Sequence, residues 1–316
     1  MVVRPISLKR LLLRLAAGLL LAACQPAGPA GPASSPGQLR VVATFSILGD
    51  LVQNVAGDRI ALTVLVGPDG DAHSYEPAPA DTRALAEAAL IIENGLEFEG
   101  WLDDLYTSSG SQAARVAVSD GITPLEAGEQ AGEDEHGHGE FDPHLWQSVP
   151  NAIQMVRNIA AALAAADPAN AAAYRANADA YLAQLDELQR YIENQVASLP
   201  AERRKLVTNH DTFAYFAQAY GFTIVGDALG AISTEGGEPS AAQMAQLADL
   251  IRAEGVPALF AENVEGSQVI ERLAQETGVK IGPLLYTDAL SRPGASGDTY
   301  LRLMRYNVDS IVGALR

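Results

Sequence analysis

The chain has 316 residues, 48% hydrophobic and 19% charged, with one cysteine and a formal net charge of −18. So acidic a balance speaks against binding nucleic acid or an anionic lipid surface. A single cysteine leaves no partner for a disulfide within the chain.

The chain opens on what reads as a secretory signal, residues 1–23. Arg4, Lys9, Arg10 and Arg14 give a basic start, and the apolar run from Leu15 to Ala23 is too short to span a bilayer as a helix. It ends in Leu21-Ala22-Ala23-Cys24, where the small residues before the cysteine fit a lipobox. Cys24 would then carry lipid as the first mature residue. An ordinary secretory signal with an incidental cysteine is the competing reading. Removing four basic residues from 21 leaves 17 against 39 acidic ones, a net −22 for the remainder. Residues 24–38, rich in Pro, Gly, Ala and Ser, read as a flexible tether. About 280 residues remain, enough for two domains of ordinary size.

From Leu39 onward, β-like and helix-like runs alternate, which predicts parallel sheets with helices on their faces. The first lobe is expected over 39–166. Its strands fall at 39–44, 60–66, 90–94 and 115–118, with helices at 47–56, 81–89 (Asp81 as cap) and around 101–106. Gly121 to Glu140 is polar and acidic, contains His136 and His138, and reads as a loop. A helix over 150–166 follows. Asp167-Pro168 then carries a cap-then-proline signature, with no Gly or Pro until Pro200. The span 167–200 predicts one helix of about 30 residues, roughly 45 Å long, as a rigid spine between the lobes. The second lobe, 201–316, repeats the pattern. Strands are expected at 205–208, 222–225, 258–261 and 280–285, and helices at 211–219, 241–254, 267–277 and 299–315.

Four residues recur in the same setting. His73, His144, His210 and Asp288 each lie in a loop after a β-like run and before a helix-like one. Ligands of open α/β sheets gather at the carboxyl ends of strands. Two facing lobes would therefore bring the four together across a cleft, where three imidazoles and one carboxylate suit zinc. Taken singly, a solvated loop histidine or a turn-capping aspartate explains each equally well. Asp142 and Asp211 lie beside two of the histidines, either to orient an imidazole or to cap a turn. Glu262 and Glu238 read as surface residues or as support behind the ligands.

The residues around these positions are similar to those of a known family. They are Gly67-Pro68 with Ala72-His73-Ser74-Tyr75-Glu76-Pro77, Asp142-Pro143-His144-Leu145-Trp146, and Asn209-His210-Asp211-Thr212-Phe213. Further on come Ile232-Ser233-Thr234-Glu235, Tyr286-Thr287-Asp288-Ala289-Leu290 and Met304-Arg305-Tyr306-Asn307-Val308. From Leu39 to Arg316 the chain resembles the metal-binding lipoproteins of bacterial zinc and manganese ABC importers, the cluster A-I solute-binding proteins. The resemblance implies two α/β lobes joined by a long rigid helix, with His73, His144, His210 and Asp288 as metal ligands. It also implies an ABC permease as partner, a lipid anchor outside the cytoplasm, and a monomer without enzymatic activity. Histidine at position 210 favours zinc as the transported ion, with manganese the alternative. His136 and His138 resemble a shortened metal-collecting loop, against which stands a plain solvated insert. Two other functions compete with this one, a secreted metallohydrolase and an adhesin-like lipoprotein with a structural metal. Neither an H-E-x-x-H nor a G-x-S-x-G run occurs.

Overall fold

Strand β1 (Leu39–Phe45) is apolar almost throughout and buried from Val41 on, as a central parallel strand covered on both faces must be. The computed structural model describes residues 37–127, 140–226, 240–264 and 266–316. The signal, Cys24, most of the tether, His136, His138 and Glu238 lie outside them. β1 pairs in parallel with β2 (Ile60–Val66) and β3 (Leu90–Glu93), and β4 (Ala114–Ala117) joins β3, giving the order β2-β1-β3-β4.

Helix α1 (Ser46–Ala56) follows β1 directly and buries Ile47, Leu48, Leu51, Val52 and Val55. Gly49 brings it against β2, since a Cβ there would meet Val64 at 2.6 Å. Helix α2 (Pro79–Glu87) begins with a proline, two residues before Asp81 and so earlier than the sequence predicts. Asp81 therefore acts from inside the first turn, where its carboxylate accepts the Ala78 N–H at 2.7 Å. Helix α3 (Leu102–Ser109) precedes β4. A short 3-10 turn, Leu145–Gln147, leads into α4 (Val149–Ala166).

The spine helix α5 (Ala171–Ala197) has 27 residues, about 40 Å. Its buried stripe runs Tyr174, Ala178, Tyr181, Leu185, Leu188, Ile192 and Val196, at helical spacing. It starts later than Asp167. That carboxylate accepts from Asn170 Nδ2 at 2.7 Å and from the Tyr174 hydroxyl at 2.8 Å, which holds the preceding turn outside the helix. α5 packs against α4, α1 and the last helix, α9 (Tyr300–Leu315).

In the second half the strands are shorter than the sequence predicts. β5 (Lys205–Leu206) pairs with β6 (Thr223–Ile224), and β7 (Ala258–Leu259) with β8 (Lys280–Ile281), all parallel. The Phe260 N–H donates to the Val207 carbonyl at 3.0 Å and links the two pairs. The two pairs are separate two-stranded sheets, and this bond sets β7 beside β5 much as β3 lies beside β1. β5 ends early because the N–H groups of Asn209 and His210 turn to the Glu262 carboxylate rather than to a strand neighbour. β8 is cut by Gly282-Pro283, where proline has no N–H to offer. Helix α6 (Ala214–Tyr220) begins three residues after Asp211, while α7 (Ala241–Glu254) and α8 (Gln268–Thr277) match expectation within a residue.

The loop after β8 leans on the first half. Leu290 N–H donates to Ser46 Oγ at 3.0 Å, and the Leu290 carbonyl accepts from Asp69 N–H at 2.8 Å. Trp146 Nε1 donates to the Thr287 carbonyl at 2.8 Å, and the N–H of Tyr300 donates to Asp50 at 3.0 Å. Among the described residues no helix is long and apolar enough to cross a membrane.

Candidate metal centre

His73 sits in the loop between β2 and α2. Its N–H donates to Asp71 Oδ1 at 2.8 Å, the Ser74 hydroxyl bonds the other oxygen of Asp71, and Trp101 Nε1 holds the Ala72 carbonyl at 2.8 Å. The edge of its ring meets Phe98, with centroids 4.5 Å apart. His144 follows Pro143, whose carbonyl accepts from Asn94 Nδ2 at 2.9 Å. Asp142 Oδ1 accepts both the N–H of His144, at 2.8 Å, and its ring Nδ1–H, at 2.7 Å.

His210 leaves β5, and Glu262 leaves β7 beside it. Glu262 Oε2 lies 2.7 Å from His210 Nδ1, while Oε1 takes the N–H groups of Asn209 and His210. The sequence offered the neighbouring Asp211 for this orienting place and left Glu262 as surface or support. Glu262 fills it, fully buried. Asp288 lies in the loop after β8. Its neighbour Thr287 is pinned by Asn263, Trp146 and Gln147.

The four side chains meet. One donor atom from each of His73, His144, His210 and Asp288 lies within 4.8 Å of the other three. His73 Nε2 is 3.2 Å from His144 Nε2, and Asp288 Oδ2 is 2.9 Å from His210 Nε2 and 3.7 Å from His73 Nε2. Asp288 Oδ1 is 3.9 Å from His144 Nε2. Four donors bonded tetrahedrally at 2.0–2.1 Å would stand about 3.4 Å apart, so these separations bracket what one small ion requires.

Tautomers fit as well. An ionised carboxylate only accepts, so Asp142 and Glu262 keep the proton on Nδ1 of His144 and His210 and leave both Nε2 lone pairs aimed inward. Burial lowers the basicity of both rings, but the charges of Asp288 and Asp142 on His144, and of Glu262 and Asp288 on His210, outweigh it. His144 is raised, and His210 raised well above the usual histidine value. Burial would raise the Asp288 carboxyl, yet the three histidines hold it well below the ordinary carboxylate range. The centre is thus built to hold positive charge among its carboxylates.

Residues 41–314 match the family model described as "Zinc-uptake complex component A periplasmic". The chain belongs to this family. The manganese-binding lipoprotein MntA of Halalkalibacterium halodurans is 36% identical over 296 residues, covering 94% of this chain and 95% of the relative. The manganese ABC transporter substrate-binding lipoprotein PsaA of Streptococcus pneumoniae is 33% identical over 311 residues, covering 96% and 97%. The solved structure of the periplasmic zinc-binding protein TroA from Treponema pallidum superposes with a TM-score of 0.79 at 35% identity, covering 88% of this chain and 99% of that one. Family members are thus solute-binding proteins of metal importers, and both zinc and manganese occur among them.

Proposed function

We propose that this chain captures a divalent transition metal outside the cytoplasm and delivers it to the permease of an ABC importer. The observation that carries this reading is the convergence of three imidazole nitrogens and one carboxylate oxygen, with two rings locked from behind by carboxylates. His73, His144, His210 and Asp288 are the ligands. Nitrogen-rich donors favour zinc over manganese. Four protein ligands fill a tetrahedral shell and leave no place for a reactive water, so the site holds cargo and does no chemistry. A hydrolase finds no support among the relatives, nor does a surface lipoprotein with a structural metal. Cys24 carries a lipid anchor, the tether gives the domain reach from the membrane, and the protein acts as a monomer. The lobes span 39–166 and 201–316, with 167–200 between them.

Chelator-treated protein should stay folded and bind one zinc per chain by calorimetry, with zinc preferred in competition with manganese. His210→Ala should fold and lose tight binding. Unfolding on chelation would mean a structural site, and full affinity in the variant would mean that the ligands lie elsewhere.

A further inference from the structure

Asp288 lies on a stretch that belongs to no helix or strand, yet Thr287, Asp288 and Ala289 are all buried. Their backbone N–H and C=O groups must find partners without a regular ladder. The pairing that precedes them is short. Leu285 N–H donates to the Ala261 carbonyl and Asn263 N–H to the Leu285 carbonyl, each at 2.9 Å, in a single parallel bridge at Glu262. Were the ladder to continue, the Thr287 N–H would go next to the backbone carbonyl of Asn263. It goes instead to the side-chain Oδ1 of Asn263, at 3.0 Å. That leaves the Thr287 carbonyl to Trp146 and Gln147 from the first half.

Asn263 Nδ2 donates to the Ala289 carbonyl at 3.3 Å and to Asp69 Oδ1 at 3.4 Å. One side-chain amide thus holds both chain neighbours of Asp288 and ties them to the turn before His73. The amide is fully used, its oxygen accepting and both of its N–H groups donating. Aspartate would keep the shape but set an acceptor against the Ala289 carbonyl and the Asp69 carboxylate. Alanine would leave the buried Thr287 N–H without its acceptor.

We propose that Asn263 is a positioning residue for Asp288, its amide fixing residues 287–289 so that the carboxylate meets the three histidines. Asn263 is not one of the converging donors and works through Asp288. The inference rests on the reading of His73, His144, His210 and Asp288 as ligands.

The test is a double-mutant cycle on chelator-treated protein, comparing the zinc affinities of wild type, Asn263→Ala, Asp288→Ala and the double variant. Asn263→Ala should weaken zinc binding about tenfold, the scale of one or two lost hydrogen bonds. On Asp288→Ala the same substitution should change affinity by less than about twofold, because no carboxylate is left to place. Asn263→Asp separates position from charge. A carboxylate added near a cation would by charge alone strengthen binding, whereas the loss of both donors should weaken it. Amide exchange in metal-free Asn263→Ala should quicken over residues 288–290 and not in β1. Unchanged affinity in Asn263→Ala, a loss that persists in full on Asp288→Ala, or binding by Asn263→Asp as tight as wild type or tighter overturns the inference and leaves the ligands standing. Wild-type affinity in Asp288→Ala overturns the ligand assignment and the inference with it. Should Asp288→Ala bind zinc too weakly to measure, exchange decides: quickening confined to 288–290 supports the inference, and uniform quickening or none overturns it. Should Asn263→Ala fail to fold, Asn263→Asp takes its place in the cycle and in the exchange measurement.

Discussion

Glu262 shows how much a single residue behind the ligands decides. Its carboxylate fixes the backbone of Asn209 and His210 with one oxygen and the ring of His210 with the other. Glutamine would keep the shape but not the charge. Its oxygen would still serve the two N–H groups, turning its NH2 toward Nδ1. That nitrogen would then have to accept, moving the ring proton to Nε2, where a metal must bind. Glu262→Gln should therefore weaken zinc binding about 10- to 100-fold, the usual effect of losing such a partner. Competition against a chromophoric chelator would read this out, and wild-type affinity would show that Glu262 does not set the tautomer. The four converging residues stood out because each sits at a strand exit inside a stretch that resembles a known family, while taken singly each also reads as a plain loop residue. The sequence revealed Glu262 only as a carboxylate near the cleft. The meaning of Glu262 depends on two loops 52 residues apart meeting side by side. A signal was nonetheless present, since Glu262 ends the apolar run Ala258-Leu259-Phe260-Ala261, where a carboxylate must find partners or stay in water.

At the scale of elements, the turn between β3 and α3 is the support for the first two histidines. Gly95, Leu96 and Glu97 adopt left-handed φ of 81°, 56° and 60° in succession. Leu96 and Glu97 cost about 1 kcal/mol each or more in that conformation. The buried Glu99 carboxylate offsets this by accepting the N–H groups of Asn94 and Gly95 and the Thr44 hydroxyl. Burial still pushes the Glu99 carboxyl up to about 7. The same turn sends Phe98 against His73 and Asn94 to the Pro143 carbonyl. Asn94→Ala would strand that carbonyl and should destabilise the fold by about 1–3 kcal/mol. Zinc affinity should fall as well, but less than on removing a ligand. Denaturant unfolding paired with zinc titration would measure both, and unaltered stability would contradict the assigned role of Asn94. Helix α7 was legible between the Ser240 cap and Gly255, whereas the cap signals at Asp81 and Asp167 misplaced the starts of α2 and α5. The strands of the second half were not legible in their extent. Their apolar runs continue past the last ladder bond, and only the competing Glu262 carboxylate and Pro283 explain where pairing stops.

For the whole molecule, two of the four proposed ligands come from each half, so protons and metal would compete for one buried centre. Histidines of ordinary basicity would lose affinity for metal below about pH 6. The structure moves that onset upward, because His210 and His144 are raised. A base whose folded pKa lies above its unfolded value stabilises the metal-free fold fully below the unfolded value, about 6.5. That contribution fades as pH rises through the folded value. Asp288 is lowered, so its contribution is present above about 3.9 and is lost as pH falls through its folded value. Metal binding has the opposite trend to the histidines, since an ion must displace their protons. Zinc titrations at pH 7 in buffers of different ionisation enthalpy should therefore reveal net proton release. Release of none would mean the centre is already deprotonated. Metal-free protein should also lose thermal stability as pH rises above about 6.5, while zinc-loaded protein should not.

The contacts between the loop after β8 and the first half bear on time as well as affinity. Ser46, Asp50, Asp69 and Trp146 stitch the segment around Asp288 into place from several sides. An ion behind that seam would leave only during a local opening that breaks several of those bonds together, and such openings are infrequent when many buried contacts must part at once. Residence would then be long even where equilibrium affinity is modest. The membrane partner's task would be less to outbid the site for its ion than to pry the seam apart.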